Sequence, residues 1–582
     1  MLARLLRQYV RPYRRLIAVV VALQLISGLA WLYMPAIDAA IIDDGVAKGD
    51  TSMIVYLGAV MLAVCGMQVL CSVGAVYFGS RTGMGFGHDV RSAIFHHVTG
   101  LSAPDIARFG APSLLTRTTN DVQQIQALVQ MALTVLITAP IICIGGIFMA
   151  LRQDAGLSWL LLVSVPALAL ANYWIVSHLL PLSRRMQLLI DGINRVMREQ
   201  LSGIRVIRAF TREPFERRRF AKTNRALSQT AFTAGLWQAL MLPVTTFVIN
   251  LSGVAVIWFG GLRIDAGRMQ VGSLIAFLSY FLQILSAVLR ATFILMMLPR
   301  ASVCAERIGE VLSTDAAIAS PRSPVRPRAV SGMVRLQGAT FRYPGADRAV
   351  LQGVSLTARP GTTTAIVGST GSGKSTLVSL ICRLCDVTDG SVSIDGVDVR
   401  DYDLEQLWSA IGLVPQHGYL FSGTIAENLR YGGAPKQVVT DAEMWEALRV
   451  ASADGFVSAH HDRLDMPVSQ GGINFSGGQR QRLAIARAVI RRPKVYLFDD
   501  AFSALDVHTE ARVRAALREV SAEATVLIVS QRISTTAEAD QVIVVEDGHV
   551  VGSGTHESLL VSCSTYAEFV DSQAVAPAGR SR

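Results

Sequence analysis

The sequence predicts a membrane domain of six α-helices followed by an α/β domain, and three observations support this fold class. The chain has 582 residues and is 51% apolar, which is too long for one domain and too apolar for a purely soluble protein. Its long uncharged runs all lie before residue 300. Beyond that point short strand-like runs alternate with turns and a glycine-rich loop, as in a soluble α/β domain.

Six apolar stretches are long enough to cross the hydrocarbon layer, which requires about 20 helical residues. They are predicted at residues 16–38, 54–79, 129–151, 157–181, 234–261 and 271–298. Arginine is concentrated in the N-terminus and in the 80–128 and 182–230 loops, so these loops and both termini are expected in the cytoplasm. The two long loops have helical patterns and should extend the spans beyond the bilayer.

The N-terminus carries Arg4, Arg7, Arg11, Arg14 and Arg15 before the first apolar stretch. That stretch is too long for a signal peptide, so an uncleaved first span preceded by a short interfacial helix is expected. The net charge is +10, but most basic residues lie beside apolar spans. This placement indicates a membrane surface and its lipids as partners and argues against nucleic acid.

The chain has seven cysteines, of which Cys382 and Cys385 form a single C-x-x-C pattern. A redox or metal role would need further Cys or His residues close by in the sequence, so buried thiols on a core helix explain the pattern better. No disulfide framework is predicted.

Residues 368–376 read G-S-T-G-S-G-K-S-T, directly after an apolar strand pattern and before a helical one. In this context glycines let backbone N–H groups turn toward phosphates, and the start of the helix adds positive potential. Lys374 should reach the β- and γ-phosphates of ATP, and the Ser375 hydroxyl should bind Mg²⁺. We name this segment the P-loop, and its predicted ATP-binding residues are Gly368, Ser369, Thr370, Gly371, Ser372, Gly373, Lys374, Ser375 and Thr376.

A second apolar strand, Val495–Phe498, ends in Asp499 and Asp500. A carboxylate at the end of a strand is the usual Mg²⁺ partner of a P-loop, and Asp499 is predicted to fill that role. These motifs divide the chain into a membrane domain (1–312), a Pro/Ser/Arg-rich linker (313–332), a nucleotide-binding domain (333–573) and a disordered tail (574–582).

Residues 475–479 read F-S-G-G-Q, and together with the motifs above they resemble the signature of ABC ATPases. The chain resembles an ABC exporter-type half-transporter over almost its whole length, which implies a multi-pass protein of the inner (plasma) membrane with a cytoplasmic nucleotide-binding domain. By the same resemblance, Tyr343 stacks on adenine and Gln416, in the Q-loop, contacts Mg²⁺. Ser503–Asp506 is then the D-loop, and Thr119–Val122 and Leu201–Ile207 lie in the loops that carry the coupling helices.

The chain departs from the family pattern at two catalytic positions. Asp500 stands where Glu usually polarises the attacking water, and Gln531 stands where the switch histidine is usual. The signature residues Ser476, Gly478 and Gln479 are intact, and in this family they complete the partner's site. We therefore expect a heterodimer in which this subunit has the degenerate site and retains ATP, with a homodimer of two slow sites as the alternative. Gln470, where Glu is usual, suggests asymmetric coupling.

The sequence identifies no substrate. Arg290 lies among apolar residues of the sixth span and could meet an anionic amphiphile, pair with an acidic residue of the other subunit, or snorkel to the interface. Further polar candidates for the cavity, whose more ordinary role is hydrogen bonding between helices, are Asp38, Asn172, Asn250 and Gln283.

The leading hypothesis is export of a hydrophobic or amphiphilic compound. Import of a lipid, fatty acid or siderophore-like ligand and an ATP-gated channel or sensor are the alternatives. Abundant Arg, Ala, Gly and Val with little Lys is typical of a GC-rich bacterial genome, such as an actinobacterial one.

Overall fold

A computed structural model describes residues 1–327, 330–434 and 437–574 as two compact units. The first unit contains Met1–Thr99 and Gly110–Thr314, and the second contains Gly100–Phe109 together with the chain from Asp315 onward. Residues 328–329 of the predicted linker, and the predicted tail 574–582 apart from Ala574, lie outside the described residues.

Helices α1–α11 run from the N-terminus to residue 312. Their bounds are α1 Leu2–Val10, α2 Arg14–Ala40, α3 Thr51–Thr99, α4 Ala103–Phe109, α5 Ala111–Thr116, α6 Val122–Met131, α7 Thr138–Gln153, α8 Trp159–Ser202, α9 Ile204–Ala209, α10 Glu213–Asp265 and α11 Val271–Leu312. The short helix α4 belongs to the second unit. Two π-helical turns, Arg117–Asp121 and Ala132–Leu136, join α5, α6 and α7 into one continuous segment.

Six helical segments of the described chain are long and apolar enough to cross a membrane, which confirms the predicted six spans. The shortest has 42 residues. At 1.5 Å per residue it is about 63 Å long, roughly twice the ~30 Å hydrocarbon layer. Each span therefore continues well outside the bilayer, as the helical patterns of the long loops predict.

The sixth span supplies much of the core of the first unit. Phe277 and Phe281 of α11 are fully buried, and α11 packs along α7 and α2. A Cβ on Gly146 of α7 would lie 2.8 Å from Cγ1 of Ile284, so a larger residue there would push the two helices apart.

The second unit contains twelve strands and ten further helices among the described residues. The strands are β1 Val334–Phe341, β2 Leu351–Ala358, β3 Thr363–Val367, β4 Asp389–Ile394, β5 Val397–Asp398, β6 Ile411–Val414, β7 Gly423–Thr424, β8 Pro467–Val468, β9 Val495–Asp499, β10 Thr525–Val529, β11 Gln541–Glu546 and β12 His549–Gly554. The helices are α12 Lys374–Ile381, α13 Leu404–Ala410, α14 Ile425–Arg430, α15 Asp441–Val450, α16 Asp454–Ser458, α17 Gly477–Ile490, α18 Val507–Val520, α19 Ile533–Thr536, α20 His556–Ser562 and α21 Ser564–Ala574.

The main sheet has the strand order β12-β11-β3-β10-β9-β6, with β12 as its antiparallel edge. Its central strands β3, β10 and β9 are parallel and almost fully buried, which is why their sequences are continuous apolar runs. Val529 pairs with both Ile366 and Asp499, so these strands end at the same edge of the sheet. The P-loop and the two carboxylates follow those strand ends.

A four-stranded antiparallel sheet in the order β2-β1-β4-β5 flanks this core. The described part of the predicted linker contains neither helix nor strand after residue 313, but it is tied to the second unit because the Val325 N–H donates to the Asp401 carbonyl at 2.8 Å. Cys382 and Cys385 are free, buried thiols, and burial raises the pKa of Cys382 to about 12 and that of Cys385 to about 11. Both thiols are therefore protonated and unreactive near neutral pH.

Candidate active site

The P-loop connects β3 to α12 through a turn that only glycine adopts without strain at two positions. Gly371 and Gly373 have φ of +87° and +98°, and Gly373 is the residue that precedes α12. A Cβ on Gly373 would lie 2.6 Å from Cδ2 of Leu351. Ser369, Thr370 and Ser372 lie in the same turn, so the nine predicted residues form one loop that ends at the start of a helix.

Lys374 is the buried cation of this loop. Its Nζ donates to the carbonyls of Gly368 at 2.9 Å and Ser369 at 2.6 Å. Burial lowers the pKa of Lys374, and the nearby negative charges of Asp499 and Asp500 oppose that shift. The ammonium is thus held where the loop's backbone curves around it, the position from which a P-loop lysine binds phosphate.

Asp499 lies at the end of β9, and its Oδ1 accepts a hydrogen bond from the Ser375 hydroxyl at 3.0 Å. Burial raises the pKa of Asp499, and the Asp500 charge adds to the rise, whereas the Ser375 hydrogen bond and Lys374 lower it. A hydroxyl and a carboxylate at this separation are hard oxygen donors of the kind that Mg²⁺ prefers. Ser375, Asp499 and the amide oxygen of Gln416 therefore suit Mg²⁺, the metal that the sequence predicts for these three residues.

The backbone of Asp500 is fixed by hydrogen bonds at both its N–H and its carbonyl. It has φ of +48°, its N–H donates to the Val529 carbonyl at 2.9 Å, and its carbonyl accepts from the Ser503 hydroxyl at 2.8 Å. Its side chain meets the Q-loop, because Nε2 of Gln416 lies 3.4 Å from Oδ2 of Asp500. The structure therefore brings together two of the three residues predicted to act in this subunit's own catalytic site, Gln416 and Asp500.

Tyr343 lies next to the P-loop helix. Its hydroxyl is 3.2 Å from Oγ1 of Thr376, and its ring packs edge-on against Phe341 with centroids 4.8 Å apart. Tyr343 as a whole residue is 43% exposed, and a partly exposed aromatic side chain can stack on a nucleobase.

Gln531, at the switch position, has an exposed side chain and a tethered backbone. Gln573 of α21 donates through Nε2 to the Gln531 carbonyl at 2.6 Å and accepts from the Ile533 N–H at 2.9 Å. The last described helix thus holds the backbone at the switch position and two residues after it.

The signature lies at the start of α17. The Ser476 hydroxyl accepts from the Gln479 N–H at 3.2 Å, and the Gln479 side chain accepts from the Ser476 N–H at 2.9 Å, so the two residues cap the helix reciprocally. A Cβ on Gly478 would lie 3.0 Å from the carbonyl oxygen of Ala504, which places the D-loop against the signature. Phe475 is buried and packs edge-on against Phe456.

Comparison with known proteins follows the same division of the chain. Residues 17–288 match the family model for the ABC transporter transmembrane region, and residues 351–503 match the model for the ABC transporter. An ABC transporter ATP-binding protein of Mycobacterium tuberculosis is 71% identical over 99% of each chain. This chain belongs to the ABC transporters.

Two further matches are more distant. An ATP-dependent lipid A-core flippase of Syntrophus aciditrophicus is 29% identical over 96% of this chain and 92% of the flippase. The solved structure of a bacterial Atm1-family ABC exporter with ATP bound matches with a TM-score of 0.80 at 24% identity, over 99% of each chain, and it supports the exporter-type fold. This ABC transporter is accordingly a multi-pass inner-membrane protein with a cytoplasmic ATPase domain that couples ATP hydrolysis to transport.

Two residues of the ABC transporter site were not singled out from the sequence. Gln481 is buried on α17, and its side-chain amide donates to the Pro415 carbonyl and accepts from the Gly418 N–H, both at 3.0 Å. It therefore holds the Q-loop on both sides of Gln416 and joins it to the signature helix. The second glutamine of the pattern S-G-G-Q-R-Q can be noticed in the sequence, but the pattern does not show that its side chain binds the Q-loop.

Arg532, next to the switch position, is the other residue that sequence reasoning missed. Its guanidinium donates to the Ser503 carbonyl at 2.8 Å, the Leu505 carbonyl at 3.2 Å and Oε2 of Glu510 at 2.8 Å. Glu510 is buried, whereas the Arg532 side chain is 38% exposed, so this charge-assisted contact is half-buried. It ties the D-loop of the ABC transporter to the segment that carries Gln531.

Three of the predicted polar residues of the membrane unit have different surroundings. Asn172 is buried and its Oδ1 accepts from the Thr245 hydroxyl at 3.2 Å, so it joins α8 to α10. Asn250 is exposed. The Arg290 guanidinium lies over the Trp31 ring, 5.2 Å from its centroid. Within the described part of the chain it forms no ion pair with a carboxylate.

Proposed function

We propose that this ABC transporter subunit exports a hydrophobic or amphiphilic compound as the degenerate-site half of a heterodimer. The observation that carries the proposal is a contrast between two sets of residues. One set would hold Mg-ATP or complete a partner's site, and the other would hydrolyse the ATP bound to this subunit. The residues suited to hold Mg-ATP and the signature are intact, whereas both substituted positions, Asp500 and Gln531, belong to the hydrolytic step.

The nucleotide-holding half-site supports retention of ATP. Lys374 lies within the P-loop, and Ser375 and Asp499 form an oxygen pair for Mg²⁺. Tyr343 offers a partly exposed ring for adenine. All these groups are compatible with tight binding of Mg-ATP, and that binding does not depend on a catalytic base.

The hydrolytic half-site supports slow turnover. The Asp500 backbone is tethered at its N–H and at its carbonyl, so its carboxylate cannot advance to make up for the missing methylene. A displacement of about 1 Å can cost on the order of 10²-fold in rate. Gln531 can hydrogen bond to a γ-phosphate but carries no positive charge.

The signature supports donation to a partner's site. Ser476 and Gln479 satisfy each other's backbone N–H groups, so the start of α17 is formed without a ligand. A partner that supplies Glu and His at the corresponding positions would then carry the productive site of the pair.

The substrate class rests on Arg290. A guanidinium in a membrane span is costly unless it meets a partner, and here it lies over the Trp31 ring with its side chain exposed. An anionic headgroup would supply the missing charge, and the apolar wall of the spans would take the hydrocarbon part. The relationship to a lipid A-core flippase agrees with a lipid-like substrate.

The deciding experiment is a mild-detergent purification of the tagged chain from its own host, with mass spectrometry of the proteins that co-purify. A stoichiometric second ABC subunit is the expected result, with Glu after the aspartate that corresponds to Asp499 and His at the position of Gln531. A species of twice the chain mass that hydrolyses ATP briskly would refute the degenerate-site assignment and indicate a homodimeric pump.

Transport direction needs a separate assay with the purified complex in inverted membrane vesicles. ATP-dependent uptake of a fluorescent anionic amphiphile is the expected result for export. It should be reduced by Arg290→Gln but not by Arg217→Gln, which changes an exposed arginine of α10 outside the predicted spans. ATP-dependent release from the vesicles would indicate import. An ATP-dependent structural change without substrate-stimulated hydrolysis would indicate a channel or sensor.

A further inference from the structure

A turn of the second unit brings three possible metal ligands together. His460, His461 and Asp462 follow α16 and precede the single helical turn Arg463–Asp465. Within the described parts of the chain, they are the one group of three His, Cys, Asp or Glu side chains whose ligand atoms all lie within 4.8 Å of one another. None of the three belongs to the motifs that bind ATP, so the ATPase site does not account for the grouping.

The two histidines converge on the Asp462 carboxylate. Nε2 of His461 lies 2.8 Å from Oδ1 of Asp462, and Nδ1 of His460 lies 3.7 Å from Oδ2. Tetrahedral ligands about 2.0 Å from a zinc ion are about 3.3 Å apart, so the observed separations bracket the spacing that the metal requires. An ordinary His–Asp contact would explain the shorter distance, but it would not explain the third ligand.

The bend of the turn is what makes a chelate possible. Adjacent residues of an extended chain point to opposite sides, whereas the rings of His460 and His461 have centroids only 4.8 Å apart. Backbone hydrogen bonds hold this bend, because the His460 N–H donates to the Val457 carbonyl at 3.3 Å and the Arg463 N–H donates to the His460 carbonyl at 3.1 Å. The ligands are therefore presented by a backbone that is formed without the metal.

The hydrogen bonding of His460 also suits a metal ligand. The Asp462 N–H donates to Nδ1 of His460 at 3.3 Å, so Nδ1 is the ring nitrogen that carries a free lone pair instead of a proton. Metal ligation requires a deprotonated nitrogen of this kind. The bond is long for an N–H donor, so a metal that takes the lone pair displaces only a weak contact.

We propose that His460, His461 and Asp462 bind a divalent ion of the zinc class, at a site separate from the Mg²⁺ of ATP. Two imidazoles and one carboxylate suit Zn²⁺, whereas Mg²⁺ prefers oxygen ligands. The side chain of His461 is 82% exposed and that of Asp462 is 37% exposed, so the ion can enter from solvent and water can complete its coordination.

This metal would act on the signature, because the turn lies between two segments connected to it. Before the turn, Phe456 of α16 packs edge-on against Phe475 with centroids 6.3 Å apart, and the Arg482 guanidinium of α17 lies 5.0 Å from the Phe456 ring centroid. After the turn, β8 leads within two residues to Gln470, in the loop before the signature. A metal that fixes the turn should therefore restrain the start of α17, which makes the ion a regulator of the ATPase.

The test counts bound zinc on the full chain, purified with any partner in mild detergent through a tag that contains no histidine. Equilibrium dialysis against low micromolar Zn²⁺, with excess Mg²⁺ and no nucleotide, is followed by elemental analysis. Wild type should bind one Zn²⁺ more per copy of this chain than His461→Gln does, and the variant should weaken the site by about tenfold or more. The substitution removes an exposed side chain and keeps the backbone contacts of the turn, so the fold should be retained.

Two further variants control for the chemistry. His549→Gln removes an exposed histidine of β12 in the same unit and should bind Zn²⁺ as wild type does. Asp462→Asn keeps the shape of the side chain but removes its charge, and it should weaken binding as His461→Gln does.

Hydrogen–deuterium exchange measures the effect on the signature. Zn²⁺ should slow backbone exchange in residues 456–479 of wild type and leave the exchange of His461→Gln unchanged. Neither readout depends on ATP turnover or on the identity of a partner, so this proposal can fail without the failure of the proposed function.

Three results would overturn the proposal. His461→Gln could bind as much Zn²⁺ as wild type and as tightly, which would show that the turn holds no metal. His549→Gln could lose as much binding as His461→Gln, which would show unspecific binding to surface histidines. Unchanged exchange in residues 466–479 of zinc-loaded wild type would refute the restraint of the signature.

Discussion

Lengthening the carboxylate at position 500 tests the degenerate-site reasoning directly. Asp500→Glu adds one methylene and moves the carboxylate by about 1.5 Å. Hydrogen bonds to Val529 and Ser503 hold the backbone of residue 500 in place. The longer side chain should therefore move the carboxylate outward without shifting the backbone. Since about 1 Å of misplacement costs on the order of 10²-fold, hydrolysis on this subunit should rise by up to ~10²-fold.

The assay must report on this subunit alone, because a partner with an intact site would dominate total ATPase activity. The complex is incubated with 8-azido-ATP that carries either an α- or a γ-phosphate label and is then photo-crosslinked. The ratio of γ to α label on this chain gives the fraction of its nucleotide that remains ATP. Wild type should keep both labels, whereas Asp500→Glu should lose the γ label.

The matched control combines Asp500→Glu with Lys374→Ala, which should abolish labelling because the P-loop cation is gone. Adding Gln531→His to Asp500→Glu should shorten the lifetime of the γ label further. If Asp500→Glu holds the γ label as long as wild type does while Lys374→Ala still abolishes labelling, carboxylate reach does not limit this site.

Three other predictions concern the same site. Gly373→Ala should weaken ATP binding more than tenfold in a TNP-ATP titration, because the new Cβ would lie 2.6 Å from the buried Leu351 side chain and the residue has a positive φ. Gly396→Ala is the control for backbone strain alone, because this glycine has φ of +79° but open space around it. The control should leave ATP binding unchanged. Gln481→Leu should lower ATPase turnover about tenfold with little change in ATP affinity, because it strands two backbone groups of the Q-loop; an unchanged turnover would refute the link. Asp500→Asn removes a negative charge that raises the pKa of Asp499, so that pKa should fall and the loss of Mg-ATP binding on acidification should shift to lower pH; a shift to higher pH would contradict the assigned cause.

The parts of the fold that the sequence predicts are those set by local pattern. Bilayer thickness sets a minimum length, so six apolar runs reveal six spans without any tertiary information. Strands β9 and β10 are buried on both faces, and their continuous apolar runs show it. The P-loop is predictable because its glycines are required by a local turn.

The features that the sequence does not reveal depend on contacts between distant residues. Gln573 lies 42 positions from Gln531, and nothing in either segment indicates that they meet. Arg532 and the D-loop are joined only by the fold. The short helix α4 belongs with the second unit although it follows a span, and the Thr119–Val122 motif lies instead at a π-helical turn of the membrane unit.

The contact between Gln573 and the switch segment has a practical consequence for protein engineering. A deletion that removes α21 would release the backbone at the Gln531 carbonyl and the Ile533 N–H, and its effect on turnover would look like a catalytic mutation. A bulky fluorescent protein attached close behind this helix could pull on the same contact. Reporter fusions at this end therefore need a long flexible spacer, and a Gln573→Ala variant shows how much of any defect comes from the lost tether.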